Sequence, residues 1–380
     1  MTDFRAAVQA VLPGVRRDLE DLIKIQSVSA DPERFSEVQR SAEKVAELFT
    51  AEGFECQIVK QGGQPAVIGE KAGPAGAPTV LLYAHHDVQP ENDPADWDSP
   101  PWEPTERGER LYARGAADDK AGIATHLAAA RIFGDDLPVT LKLFIEGEEE
   151  VGSVSLPDLL ATYKEQLRSD VIVIADSGNW DIGVPALTTS LRGLVRMDVE
   201  VRTLDHAVHS GMWGGLVPDA LMTLARLISS LHDDQGNVAI EGLLSGPAAD
   251  VEYPEDRLRA ESGAAAGIEW IGTGSAVERL WTKPSLSITG LDAPKVAGAS
   301  NTLVPAARAR ISLRVAPNDT GANAAAALQR HLEAHVPWGA TMSTTVVDIG
   351  EATAIDATGP ADDAARSAIT AARGGSAPRC

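Results

Sequence analysis

The segment Leu81-Leu82-Tyr83-Ala84-His85-His86-Asp87 ends an apolar run in three polar residues. The run from Thr79 to Tyr83 is typical of a buried β-strand. Residues two apart on an extended backbone point to the same side, so His85 and Asp87 share a face. A carboxylate beside an imidazole can fix its tautomer and leave the other ring nitrogen to bind a metal. An ordinary polar turn after a strand is the alternative explanation.

A second segment, Arg114-Gly115-Ala116-Ala117-Asp118-Asp119-Lys120, places two aspartates directly before a predicted helix at residues 121–133. Capping and the helix dipole also favour adjacent carboxylates at a helix start. Taken singly, each of the two segments therefore has a purely structural explanation. Their combination with further acidic strand ends favours a functional one.

Two more apolar runs end in acidic residues. Residues 141–145 run into Glu146-Gly147-Glu148-Glu149-Glu150, and residues 171–175 run into Asp176. In an open α/β sheet, ligands bind at the carboxyl ends of the strands. Carboxylates combined with imidazole suit zinc, manganese or cobalt. We therefore expect one metal site at this sheet edge, with the candidate residues His85, Asp118, Glu149, Glu150 and Asp176.

Together these motifs resemble the co-catalytic zinc metallopeptidase family of carnosine dipeptidase, carboxypeptidase G and succinyl-diaminopimelate desuccinylase. The resemblance is carried by Tyr-x-His-x-Asp-Val-Gln-Pro at Tyr83–Pro90, Arg-Gly-x-x-Asp-Asp-Lys at Arg114–Lys120 and Glu-Gly-x-Glu-Glu-x-Gly-Ser at Glu146–Ser153. It extends from about residue 15 to the end of the sequence and is strongest to the dipeptidase branch. It implies hydrolysis of dipeptides or short peptides by a water that a dinuclear metal centre activates.

The resemblance implies a ligand set for two divalent ions. His85 and Asp176 would bind one ion and Glu150 the other, while Asp118 would bridge them. Zinc is the favoured metal, with manganese and cobalt as alternatives. The Asp118–Asp119 peptide bond is cis in relatives and is expected to be cis here.

The resemblance also implies the catalytic and substrate-binding residues. Glu149 would be the general base, and Asp87 would orient His85. His209 would stabilise the oxyanion in the site of a partner subunit, and Arg314 would hold the substrate's carboxylate. A polar turn and a surface arginine are the respective alternatives. The full predicted substrate-binding set is His209, Thr302, Arg314, Gly375 and Ser376.

The sequence departs from the family pattern at the second metal ion. The family has a histidine ligand close to the C-terminus, whereas no histidine follows His335 here. We therefore expect a chain that is shortened at its C-terminus relative to the family, with a weak or empty second site. An N-acyl amino acid deacylase is an alternative activity. A catalytically silent homodimer that binds one metal ion or a peptide is a third hypothesis.

The pattern of hydrophobic residues predicts two domains in these 380 residues. Residues 1–190 and 351–380 form the first, an open, mostly parallel sheet with helices on both faces, incomplete at its C-terminus. In residues 191–350, apolar and polar residues alternate along two strands, which indicates an α+β layer with one exposed face. The predicted fold class is α/β, with residues 191–350 as an inserted α+β domain. In the resembled family this insert is the lid and dimerisation domain.

The charge and composition of the chain limit the classes of molecule that it can bind. The net charge of −22 argues against nucleic acid, whose phosphates need a basic surface. Only Cys56 and Cys380 are present, so no disulfide framework is implied, and no apolar run is long enough to span a bilayer. No hydrophobic signal segment opens the sequence. With the resemblance, this predicts a cytoplasmic homodimer that acts on small peptides and binds neither nucleic acid nor membranes.

Overall fold

A computed structural model describes residues 4–247 and 251–373. The chain divides after Gly178 into two units, which we call the first and second units. The α-helices are α1 Phe4–Ile23, α2 Phe35–Ala51, α3 Lys120–Phe133, α4 Leu156–Thr162, α5 Lys164–Leu167, α6 Ser210–Trp213, α7 Ala220–Ser229, α8 Glu255–Ser262, α9 Gly321–His335 and α10 Pro360–Arg373. The strands are β1 Glu55–Val59, β2 Ala66–Lys71, β3 Thr79–His85, β4 Thr105–Arg107, β5 Arg110–Tyr112, β6 Thr140–Glu146, β7 Val171–Ile174, β8 Ser190–Leu191, β9 Gly193–Arg202, β10 Val208–His209, β11 Ser285–Asp292, β12 Thr302–Leu303, β13 Ala306–Val315, β14 Thr341–Gly350 and β15 Thr353–Ala354.

The first unit is built on a five-stranded sheet in the order β1-β2-β6-β3-β7. Strand β3 pairs in parallel with both β6 and β7, and β2 is antiparallel to its neighbours β1 and β6. Four strands therefore run in one direction, and β2 runs in the other. The predicted α/β class is confirmed. The parallel arrangement brings the carboxyl ends of β3, β6 and β7 to one edge, where ligands bind in such sheets.

Helices cover both faces of this sheet. On one face, α1, α2 and α3 pack against the strands through buried residues that include Leu22, Phe49 and Leu127. On the other face, Leu159 of α4 and Leu167 of α5 pack against Phe144. Each fully buried side chain of this size contributes roughly 1.5–3 kcal/mol to stability. The sheet is thereby a rigid support for the residues at its edge.

Lys120, the first residue of α3, is fully buried. Its Nζ donates hydrogen bonds to the carbonyl oxygens of Leu22, at 2.8 Å, and Ile25, at 2.7 Å. Leu22 is in the last turn of α1 and Ile25 follows that helix, so this lysine binds carbonyls at and just beyond the end of α1. It also ties α1 to the loop that ends at Asp119.

The second unit contains a four-stranded antiparallel sheet in the order β11-β13-β9-β14. Strands β9 and β13 bury alternate residues against α7 and α9, as their alternating pattern predicts. The other face carries polar residues, among them Asp198, which pairs with Arg308 and Arg310. Two assignments stay predictions: the limits of the inserted domain at 191 and 350, and the place of residues 351–380 in the first domain.

No helix among the described residues is long and apolar enough to cross a membrane.

Candidate metal centre

His85 ends strand β3 and is fully buried. Its Nε2 lies 3.0 Å from Oδ1 of Asp118 and 3.9 Å from Oδ2 of Asp176. Ligand atoms of these three side chains all lie within 4.8 Å of one another. An imidazole and two carboxylates that converge on one point form a donor set that fits a divalent cation such as zinc.

The local structure around Asp118 explains how it reaches His85. Asp118 lies in the loop before α3, and its peptide bond to Asp119 is cis, as the resemblance implied. The Asp119 carboxylate accepts hydrogen bonds from the backbone N–H groups of His85 and Gly122, each at 3.2 Å. A Cβ at Gly122 would lie 2.5 Å from the carbonyl oxygen of Ala175. Glycine therefore allows the start of α3 to approach the end of β7, from which Asp176 projects.

Asp87 supports two parts of the site at once. Its Oδ2 accepts hydrogen bonds from Oγ of Ser29 at 2.6 Å and from the backbone N–H of Glu150 at 3.1 Å, and its Oδ1 accepts one from the N–H of Glu149 at 3.2 Å. Nδ1 of His85 lies 3.0 Å from the Asp87 carbonyl oxygen and 3.3 Å from Oδ1. Burial opposes ionisation, but hydrogen bonds from His85 and Ser29 hold the pKa of Asp87 below its usual value.

Glu149 and Glu150 lie in the short 3₁₀ turn Glu149–Val151, which follows β6. Oε2 of Glu149 is 3.9 Å from Nε2 of His85. Burial, together with the nearby Asp176 and Glu150, raises the pKa of Glu149 to about 7. The carboxylate of Glu150 accepts hydrogen bonds from the backbone N–H and the side-chain amide of Gln89, at 3.2 and 2.8 Å.

The electrostatics of the cluster favour a bound cation. Burial raises the pKa of Glu150 and of Asp176, and repulsion from Asp118 adds to both shifts. Carboxylates crowded in this way resist ionisation until a positive charge is placed among them. The donor set and its charge therefore both fit divalent metal ions.

Replacing Asp87 with alanine is expected to weaken zinc binding about 10- to 100-fold, because the His85 ring and the Glu149–Glu150 turn both lose their support. Zinc affinity would be measured by competition with a chromophoric chelator. Ser29→Ala removes a single donor to the same carboxylate and should have a smaller effect. Asp158→Ala, at an exposed position of α4, should leave the affinity unchanged. Unaltered zinc affinity in Asp87→Ala would contradict the proposed support.

The predicted substrate residues of the second unit lie on two pairs of strands. His209 on β10 is directly opposite Thr302 on β12, so the structure brings these two together. Nδ1 of His209 accepts a hydrogen bond from the backbone N–H of Gly211. Arg314 is exposed on the polar face of β13. The remaining two predicted residues, Gly375 and Ser376, lie outside the described residues.

Sequence reasoning missed three residues that shape the site: Ser29, Gln89 and the carboxylate of Asp119. Gln89 is part of the Asp-Val-Gln-Pro motif, so its position was a signal that could have been used. Ser29 follows α1 in an irregular segment, and a single bridge between Val28 and Val88 brings it to Asp87. Nothing local in the sequence indicates that contact.

A buried histidine and carboxylates at the ends of parallel strands are typical of metal-dependent hydrolases. Residues 81–379 match the model of peptidase family M20/M25/M40, and the chain belongs to that family. The family predicted from the sequence is thereby confirmed.

Relatives with known activities are similar along most of the chain. A cysteinylglycine-S-conjugate dipeptidase of Corynebacterium striatum is 34% identical over 354 residues, which are 91% of this chain and 77% of that protein. A beta-Ala-His dipeptidase of Rattus norvegicus is 30% identical over 351 residues, 83% of this chain and 70% of that protein. The crystal structure of human carnosine dipeptidase 1 aligns with a TM-score of 0.81 at 26% identity, over 98% of this chain and 85% of that chain.

Proposed function

We propose that this protein is a metal-dependent dipeptidase that hydrolyses the peptide bond of dipeptides or short peptides. The observation that carries the proposal is the convergence of His85, Asp118 and Asp176 beside Glu149. Membership of a peptidase family, with dipeptidases among the similar proteins, supports the same reaction and substrate class.

We assign the metal ligands as follows. His85, Asp118 and Asp176 would hold one divalent ion, and Asp118 with Glu150 would hold a second. Zinc is the favoured metal, with manganese and cobalt as alternatives, and the carboxylate-only second site should bind zinc more weakly. When bound, the ions polarise the substrate carbonyl as Lewis acids and activate water as a nucleophile.

The protein's own residues then orient the site and move the proton. Glu149 takes the proton from the attacking water and passes it to the leaving amine, since its carboxylate lies beside the metal ligands without being one of them. Asp87 holds His85 and the backbone of Glu149 in position. We assign substrate binding to five residues: His209, Thr302, Arg314, Gly375 and Ser376.

Metal-dependent turnover of defined substrates tests the function. The full chain, loaded with zinc, would be assayed with cysteinylglycine, with β-alanyl-histidine and with N-acetyl amino acids, while elemental analysis gives the zinc content per chain. We expect dipeptide hydrolysis that a chelator removes and zinc restores. Hydrolysis of the N-acetyl substrates alone would favour the deacylase. If zinc is bound and none of these substrates is hydrolysed, the result would favour the hypothesis of a catalytically silent homodimer.

His209→Ala is expected to reduce kcat by about 10²- to 10³-fold with an unchanged zinc content, because one donor to the oxyanion is lost. The neighbouring exposed histidine gives a matched control, since His206→Ala should retain full activity. If the two variants had equal kcat, the interpretation of His209 as a polar turn residue without a role in catalysis would be favoured.

We further propose a homodimer in the cytoplasm, with His209 of one subunit acting in the site of the other. Mixing His209→Ala chains with Glu149→Gln chains tests this arrangement, because a mixed dimer contains one complete site. Activity should reappear on mixing at equal concentrations after subunit exchange. A monomer by light scattering, or no recovery of activity in mixed dimers, would contradict the shared site.

A further inference from the structure

The second unit contains a cavity of about 490 Å³. Its wall is formed by the chain around residues 232–245, by α8, by residues 270–286 and by Arg192 just before β9. This volume lies within the range of small-molecule sites in proteins. Every described lining residue belongs to the second unit, so the cavity does not depend on the metal centre.

The charge of the wall is the opposite of the charge of the chain. The sequence carries 55 acidic and 33 basic residues. The described residues that line the cavity nevertheless include the cations Arg192, Arg279 and Lys283, and none of the described lining residues is an aspartate or a glutamate. A wall of this composition attracts anions, and none of its described lining residues gives a carboxylate to a ligand's ammonium group.

Arg192 is the cation with unused hydrogen-bonding capacity. Among the described residues, its guanidinium makes one hydrogen bond, from Nη1 to Oγ of Ser285 at 2.9 Å, and has no carboxylate partner. Burial and the nearby Arg314 lower its pKa. A guanidinium has five N–H donors, and a partly buried one without an acid is costly unless an anion is bound.

The other two cations are engaged with the backbone. Nη1 of Arg279 donates to the carbonyl oxygen of Ile271 at 3.0 Å, and Nζ of Lys283 donates to that of Thr273 at 2.8 Å. They therefore support the loop, and the neighbouring Glu278 offsets part of their charge, since both cations lower the pKa of its carboxyl. Arg192 retains donors for a direct contact.

The rest of the wall suits an apolar group. Val238, Leu258 and Leu286 line the cavity. Trp270 lines it too and adds the apolar surface of its indole ring.

We propose that this cavity binds a small carboxylic acid that has an apolar body and no ammonium group, with its carboxylate on Arg192. An N-acylated amino acid and an alkyl or aryl carboxylic acid share this chemistry. The apolar body lies against Leu258 and Leu286.

Calorimetric titration of the full chain with 3-phenylpropionate, with and without a chelator, tests the proposal. We expect 3-phenylpropionate to bind at least about tenfold more tightly than the neutral 3-phenylpropionamide and than L-phenylalanine, which carries an ammonium group. Affinity should be the same with and without the chelator. Equal binding of acid and amide, or loss of binding on chelation, would overturn the site. Equal binding of L-phenylalanine would overturn the ligand class.

Two variants locate the binding. Arg192→Met should weaken 3-phenylpropionate binding at least about tenfold, because the charged donor is removed. Arg196→Met, which removes an exposed arginine of β9 that pairs with Asp348, should not change it. Ala276→Phe fills the cavity from its wall and should abolish binding, which provides a second test if Arg192→Met does not fold. Unchanged affinity in a folded Arg192→Met or Ala276→Phe would refute the assignment.

Titration of 3-phenylpropionate with N-acetyl-L-leucine or octanoate as competitor separates the two sources of this chemistry. Tighter competition by N-acetyl-L-leucine would identify an acylated amino acid, and tighter competition by octanoate an alkyl acid. Either result supports the cavity, whereas no competition by either acid would contradict the shared chemistry. Binding under chelation is independent of hydrolysis, so this proposal and the dipeptidase activity fail or succeed separately.

Discussion

Glu149→Gln is expected to reduce kcat for dipeptide hydrolysis by about 10²- to 10⁴-fold while the protein retains its zinc. Glutamine keeps the size of the side chain but cannot accept a proton from water. The backbone N–H of residue 149 can still donate to Asp87, so the turn that carries Glu150 keeps its position. Loss of turnover with intact metal content is therefore the signature of a proton-transfer residue.

The measurement combines steady-state kinetics with elemental analysis of the same preparation. Glu165→Gln on α5 is a matched control, since this side chain is exposed and is not one of the site residues, and it should retain full activity. If Glu149→Gln retained more than about a tenth of wild-type kcat, another group would have to be the general base.

Asp118→Asn is expected to remove both metal ions and with them all measurable turnover. Asp118 is the carboxylate that we assign to both ions, and its Oδ1 already lies 3.0 Å from Nε2 of His85. Asparagine has nearly the same shape but lacks the negative charge, so the cation loses a hard, charged ligand. Affinity for zinc should fall by more than about 100-fold, beyond the effect of losing a supporting residue such as Asp87.

Zinc content after dialysis and zinc-dependent thermal stabilisation are the two measurements for this variant. Bound zinc stabilises the folded state according to its concentration relative to Kd, so Asp118→Asn should lose that increase in Tm. Asp135→Asn, at a fully exposed position, should behave as wild type. Two zinc ions per chain in Asp118→Asn would exclude Asp118 as the bridging ligand.

The elements that carry the metal ligands could be predicted from the sequence because each has a strong local pattern. Apolar runs predicted β3, β6 and β7, and polar residues at their ends predicted the edge where His85 and Asp176 lie. The start of α3 was predictable because an Ala-rich run follows Asp119. Family motifs then supplied the roles, which neither periodicity nor composition can give.

The features that could not be predicted depend on long-range packing. An apolar run does not show whether another element covers it. In the apolar run of β7, Ile172 and Ile174 are each 59% exposed, because β7 is at the edge of the described sheet. The contact of Ser29 with Asp87 and the cavity beside Arg192 are formed by irregular segments without periodicity. Their positions are set by the tertiary fold alone.

The two hydrogen bonds from Lys120 to the end of α1 have a consequence for motion. If the last turn of α1 frayed alone, a buried amine would lose both of its acceptors, which is costly. Opening of that turn should therefore require opening of the loop that presents Asp118. Hydrogen–deuterium exchange should consequently give the amides near Leu22 and those near Asp118 the same free energy of opening, as a single cooperative unit.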